Sequence, residues 1–170
     1  MARVNVITSI TDCKSPAKIQ RVGMWLIEVI ENATPTTYQG ILIRESITGQ
    51  ELTLQLLANA LTALKKLGIE MDEIAMFFNC QIVESAFLNK WLEKWSEHEW
   101  KSAKGEDIAD KDTWLIIWNL LTAIGKRYIT VKERSSFELW MQIQLNKEIE
   151  KIRNREAAEI SIAKINEILA

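Results

Sequence analysis

Residues 74–80, Ile-Ala-Met-Phe-Phe-Asn-Cys, decide the fold. Residues 74–78 form an almost unbroken apolar run. That run suits a central strand covered on both faces. The uncharged polar pair Asn79-Cys80 ends it, and a helix is expected to begin near Gln81. The junction has the form of a place for a metal-binding carboxylate, and the sequence puts Asn79 there. Whether the chain is an active enzyme or the shell of one turns on this junction.

Upstream of it the hydrophobic period is helical. Leu54, Leu57, Leu61 and Leu64 recur at three and four positions from Gly49 onward. Thr48 is placed to cap this helix, with Glu51 three residues later as in a capping box. Capping and solvation are the plain structural reading of Glu51. Lys65, Lys66 and Gly68 mark the helix end. Earlier still, residues 4–8, 21–31 and 38–44 read as strands rich in β-branched and apolar residues. A polar link with Pro16 covers residues 12–18. Residues 32–36 form a turn short enough to make the second and third strands a hairpin.

Downstream, residues 89–98 are expected to be helical and residues 101–110 to form a polar loop. Asp112 is expected to cap a helix carrying Trp114, Leu115, Trp118 and Leu121, and residues 128–131 form a fifth strand. Phe137, Met141, Leu145, Ile149 and Ile152 make one helical stripe. After the charged residues 153–156, Ala158, Ile162, Ile165 and Leu169 make a second. The second stripe either packs back on the domain or meets a partner chain, which allows a homo-oligomer through the C-terminal helix. The expected division is a domain over residues 1–153 with a helical extension over 154–170. Hairpin strands first and helix-linked strands later imply an α/β fold with a five-stranded mixed sheet flanked by helices.

Composition narrows the class. The chain has 170 residues, 48% hydrophobic and 26% charged, which fits one globular domain. Its net charge of -2 lowers the expectation of tight non-specific nucleic-acid binding without excluding a local basic patch. Cys13 and Cys80 form neither a disulfide framework nor a CxxC motif, and they read as free thiols of a reducing compartment. The N-terminal residues lack the apolar run of a secretory signal, and no apolar stretch is long enough to span a bilayer. A cytoplasmic protein with no membrane partner is the expectation. Five of the seven tryptophans fall between residues 91 and 118, as a core seam or a stacking surface, with the seam the plainer reading.

The order of elements resembles the ribonuclease H fold, most closely from Glu51 to about Val131. Gln50-Glu51-Leu52 followed by residues 58–61 is similar to the family's first helix, which carries a catalytic glutamate at the Glu51 position. Residues 78–83 resemble the segment in which an aspartate ends the central strand. Trp91, Trp95, Trp100-Lys101, Lys104-Gly105, Ile108, Lys111-Asp112 and Thr113-Trp114 resemble the helix, handle loop and helix that follow. Ser136 and Trp140-Met141 point to a divergent bacterial or mobile-element branch.

The resemblance implies cleavage of RNA in RNA–DNA hybrids by four acidic residues holding two Mg²⁺ or Mn²⁺ ions. Hard cations of that kind call for oxygen ligands, above all carboxylates. Carried over by position, the acidic set is depleted. Ser9 stands where the first-strand aspartate falls, with uncharged Asn5 and Thr8 nearby, and Asn79 replaces the central-strand aspartate. An amide oxygen at Asn79 can ligate a metal but brings no charge, and capping of the next helix is its plainer role. Glu51 matches the family glutamate and is, with Asn79, the implied metal ligand. Asp12, past the expected strand end, and Glu138, in the last helix, are the other catalytic candidates. A turn cap for Asp12 and a helix-dipole partner for Glu138 are their plain structural roles. His98 is the only histidine, and no glycine-histidine loop precedes Ser135.

The substrate surface is altered as well. Between Lys90 and Asp112 five lysines stand against seven acidic residues, so the handle is net acidic. Lys101, Lys104, Lys147 and Lys151 are the candidate nucleic-acid contacts, joined by Arg153 and Arg155, and a solvated charged face is their plain alternative. A degenerate ribonuclease H-like domain retained for nucleic-acid binding or assembly is the first expectation. An active Mg²⁺- or Mn²⁺-dependent hybrid nuclease and a protein-interaction module are the alternatives. Metal is expected only in the active case.

Overall fold

A computed structural model describes residues 1–14 and 19–170. Ten elements follow one another: β1 Ala2–Lys14, β2 Ile19–Glu31, β3 Thr34–Glu45, α1 Gly49–Leu67, β4 Met71–Phe78, α2 Gln81–Leu88, α3 Trp91–Glu97, α4 Lys111–Ile124, β5 Tyr128–Thr130 and α5 Glu138–Leu169. The sheet runs β3-β2-β1-β4-β5. β1 pairs antiparallel with β2 and parallel with β4, so the sheet is mixed. The expected α/β architecture, with five strands and an extended last helix, is the observed one.

Strand alternation sorts the side chains onto two faces. Val4, Val6, Ile27 and Val29 lie under α1, α2 and α4, against Leu57, Leu61, Phe87 and Ile117. Ile7, Val22, Met24 and Leu26 lie under α5, against Met141, Leu145, Ile149 and Ile152. α1 sits close because β2 presents Gly23 to it. A Cβ there would come within 2.5 Å of Leu56 Cδ1.

α1 starts as expected. Thr48 Oγ1 accepts the Glu51 N–H at 3.1 Å, and Gly68 closes the helix at φ 62°. Two expectations are corrected. β1 runs on to Lys14, so Asp12 lies inside a strand rather than past its end. The residue at the N-cap of α4 is Asp110, with no side-chain cap bond, and Asp112 sits in the first helical turn. Ser15 to Lys18, including Pro16 of the expected link, lie outside the described residues.

The five clustered tryptophans form a seam. Trp95 meets Trp91, Trp100 and Trp114 at centroid distances of 6.0, 6.2 and 5.3 Å, and Trp100 meets Trp118 at 6.0 Å. The spacing on α3 and α4 puts Trp91, Trp95, Trp114 and Trp118 on facing helical sides, and the pairs Trp95–Trp114 and Trp100–Trp118 meet edge to face while the other two are tilted. No helix among the described residues is long and apolar enough to cross a membrane.

Candidate functional site at the β1–β4 junction

β1 and β4 are parallel neighbours, so their carboxyl ends fall side by side. Their regular ladder stops at the Thr8–Phe78 pair. One residue further, Asn79 continues it with its side chain. The amide Oδ1 accepts the Ile10 N–H at 3.0 Å, and Nδ2 donates to the Ile10 carbonyl at 3.0 Å. The backbone donor at Ile10 fixes which way the amide faces. Nδ2 also donates to Ser9 Oγ at 3.3 Å. Asn79 therefore stitches β1 to β4. The α2 N-cap falls on Cys80, which makes no side-chain cap bond, so the helix is not capped by Asn79 either.

Ser9 is 1% exposed and faces α5. Gln142 Nε2, one turn after Glu138 on that helix, donates to Ser9 Oγ at 2.6 Å. Ser9, Asn79 and Glu138 line one cavity of about 260 Å³, together with Lys132, Arg134 and Ser135. Arg134 Nε lies 3.7 Å from Glu138 Oε2. The floor of this cavity is neutral and its rim carries charges of both signs.

The other two acidic candidates lie elsewhere. Asp12 points to the α1 face of β1 and pairs across the strands with Arg21, whose Nε donates to the Ile47 carbonyl at 2.6 Å. Glu51 is engaged between helices. Its Oε1 accepts Thr113 Oγ1 at 2.7 Å and Gln55 Nε2 at 3.2 Å. Its second oxygen is buried and has no donor other than the Asp110 carboxyl when that group is protonated. The carboxyl of Asp110 faces Glu51, and Gln50 Nε2 donates to Asp110 Oδ2 at 3.0 Å. Burial raises the Asp110 pKa above the usual carboxylate range. The hydrogen bond and charge of Glu51 raise it further, against the opposing bond from Gln50. Of the expected capping box only the Thr48 half forms, because the Glu51 side chain turns to α4 instead.

This pair makes a pH-dependent prediction. A carboxyl whose folded pKa is raised contributes stability below its unfolded pKa and loses it as pH rises through the folded value. Asp110→Asn keeps an acceptor for Gln50 and presents a donor to Glu51. It is expected to stabilise the fold by about 0.5–1 kcal/mol at pH 7, the range of a partly solvated charge pair. The gain should shrink toward pH 4, since the protonated acid already donates. Urea denaturation at the two pH values checks it, and a pH-independent difference would leave only the better fit of asparagine to the left-handed backbone there, φ 59°.

The candidate contacts Lys101 and Lys104 of the handle are exposed. Lys101 bridges Asp107 through the backbone, and Lys111 Nζ lies 3.3 Å from Asp107 Oδ1. On α5, Lys147 is exposed and Lys151 meets Glu148 at 3.2 Å. Beneath the handle Tyr128 donates to Glu93 Oε1 at 2.7 Å, and burial with this carboxylate holds the phenol well above its ordinary range.

The contacts of Gln142, Arg21, Asp110 and Thr113 with the candidate residues are not legible in the sequence. Gln142 has a usable signal, since it lies four residues after Glu138 on one helix face. The other three meet their partners only through strand register and helix docking.

The chain is similar to a ribonuclease H of Syntrophomonas wolfei, 34% identical over 91 residues, or 52% of this chain and 58% of that protein. It spans little more than half the length of the first curated relatives it matches. No family model matches. Among solved structures, LC9-RNase H1, described as a type 1 RNase H with the type 2 active-site motif, superposes with a TM-score of 0.63 at 11% identity, over 88% of this chain and 72% of that one. The foamy viral protease-reverse transcriptase, solved in complex with an RNA/DNA hybrid, superposes with a TM-score of 0.60 at 18% identity, over 85% of this chain and 19% of that one. The fold is ribonuclease H-like.

Proposed function

We propose that this divergent ribonuclease H-like protein is a nucleic-acid-binding domain whose strand junction does not carry metal-ion catalysis. The bonding of Asn79 carries this reading. Its amide is used by the Ile10 backbone and by Ser9. The donor set does not fit a pair of divalent ions, which need converging carboxylates. Ser9 and Asn79 are neutral, Asp12 is paired with Arg21, and Glu51 bonds to Thr113. Among the described residues no group of three or more His, Cys, Asp and Glu could hold a metal ion. The competing reading, a metal-dependent endoribonuclease acting on RNA–DNA hybrids, would have to recruit Asp12 and Glu138 from opposite faces of the sheet.

Incubation with a labelled RNA–DNA hybrid in Mg²⁺ or Mn²⁺ is expected to yield no cleavage. Cleavage that disappears in Glu51→Ala would sink the proposal. Hybrid binding at low salt is expected to persist in either case, because phosphate contacts strengthen as salt falls.

Assembly through α5 is a second reading, with its own observation. The helix is continuous to Leu169, yet its burial on the sheet ends at Ile152. Beyond that, Ile162, Ile165, Ile168 and Leu169 are exposed. A helix face of this kind gains by burying its aliphatic side chains against another surface. Sedimentation is expected to give a concentration-dependent dimer for the full chain and a monomer without residues 154–170. A full chain that stays monomeric removes this reading.

A further inference from the structure

α5 carries a second stripe on the side turned away from the sheet. Trp140, Ile143 and Lys147 are followed, at the same spacing, by Ile162, Ile165 and Leu169. Lys151, Asn154 and Ala158 fill the interval, so the pattern repeats every eleven residues along the helix. Such a period, about 3.67 residues per turn, keeps a stripe nearly parallel to the axis. At about 3.6 residues per turn these positions fall opposite Met141, Leu145, Ile149 and Ile152, which lie against the sheet. All of them are exposed, Ile143 by 45% and Ile165 by 54%. A shallow groove of about 450 Å³ follows the middle of the stripe, from Ile143 to Asn154. The stripe is apolar at its ends and polar at its centre.

We infer that α5 pairs antiparallel with α5 of a second copy, each C-terminal half lying on the outer face of the other's N-terminal half. The inference rests on the assembly reading above and names the partner surface and its direction. A two-fold axis at the level of Asn154 sets Trp140 against Leu169, Ile143 against Ile165, Lys147 against Ile162 and Lys151 against Ala158. Both apolar ends are covered at once. The lysine stems lie along apolar side chains and keep their ammonium groups in water. Parallel pairing would instead set Lys147 on Lys147 and Lys151 on Lys151. In the antiparallel pair Lys151 keeps its partner Glu148 on its own helix. Asn154 faces its own copy at the axis, where a pair of amides fixes the register. Tails pairing with tails alone would bury only about two heptads, fewer than the roughly three to four of a sustained coiled coil. Each sheet lies behind its own helix, so the two domains do not collide.

Sedimentation of the full chain, joined to disulfide trapping, tests it. Ile143 lies outside the C-terminal tail and is exposed in the single chain, so Ile143→Asp is expected to keep the wild-type circular dichroism. It should weaken dimerisation about a hundred-fold, about ten-fold for each of its two places in a two-fold interface. Asn154→Cys should give a covalent dimer on mild oxidation, above the wild-type background from Cys13 and Cys80. Leu169→Cys should not, because antiparallel copies of that position stand about 40 Å apart at about 1.5 Å per residue. A dimer that ignores Ile143→Asp, that is trapped by Leu169→Cys, or that escapes trapping by Asn154→Cys overturns the inference and leaves assembly through α5 intact. A full chain that stays monomeric defeats the assembly reading itself.

Discussion

Ser9→Asp combined with Asn79→Asp is expected to cost about 3 kcal/mol of stability at pH 7 in the absence of divalent ions. The wild-type atoms at these positions are 3.3 Å apart and bonded as donor and acceptor. Two carboxylates in that space repel each other. The second substitution also sets a carboxylate oxygen against the Ile10 carbonyl, in place of an N–H that donates to it at 3.0 Å. Ser9 is almost fully buried, so water does little to screen its replacement. The pH dependence has a definite sign. Repulsion raises the folded pKa of the new pair, so stability is retained below the unfolded carboxylate range and lost as pH rises through the folded values. Mg²⁺ should recover part of the loss, because two carboxylates facing one cavity begin a hard-cation site. Urea denaturation between pH 4 and pH 8, with and without Mg²⁺, measures all of this. A double variant as stable as the wild type at pH 7 without metal would mean that the junction readily accepts charge, and the neutral-floor account would fail with it.

Trp114→Ala is expected to cost about 3–5 kcal/mol, the usual range for emptying a large buried aromatic site. Trp114 is 2% exposed and joins two parts of the core. Its ring lies 5.3 Å from Trp95 on one side and 5.8 Å from Phe87 on the other. Removing it opens a cavity between α3, α4 and α2 and unseats the handle. Trp114→Phe should be much milder than its lost volume suggests. The indole Nε1 is buried without a hydrogen-bond partner, so that substitution also removes a desolvated donor. Chemical denaturation ranks the two variants. If Trp114→Ala left stability within about 1 kcal/mol of wild type, well below the cavity range, and instead weakened hybrid binding, the cluster would be a stacking platform rather than a seam.

Much of the fold was legible in the residues. The period-two runs and the short turn at Asn32-Ala33 mark β2 and β3 as a hairpin. Thr48, the leucine stripe and Gly68 bound α1 closely, because caps and periodicity are local properties of the chain. Boundaries were harder where side chains do not decide them. β1 reaches Lys14 because β2 offers pairing partners as far as Ile19, a fact of the neighbouring strand. The start of α4 at Lys111 depends on a left-handed residue at Asp110, held in place by Gln50 from α1.

The sequence by itself determined the order of elements, the covered central strand, and the absence of charge at Ser9 and Asn79. Those features reside in residue type and spacing, which do not wait for folding. Only the tertiary structure decided what the polar residues do. Strand alternation puts Asp12 and Ser9 on opposite faces, so one pairs with Arg21 and the other meets Gln142. Helix docking takes Glu51 to Thr113 and Asp110, and parallel pairing turns Asn79 into a clamp on Ile10. Hydrogen bonds and charge pairs act over a few ångströms, and residues 60 or 70 positions apart come that close only when the sheet and helices have packed.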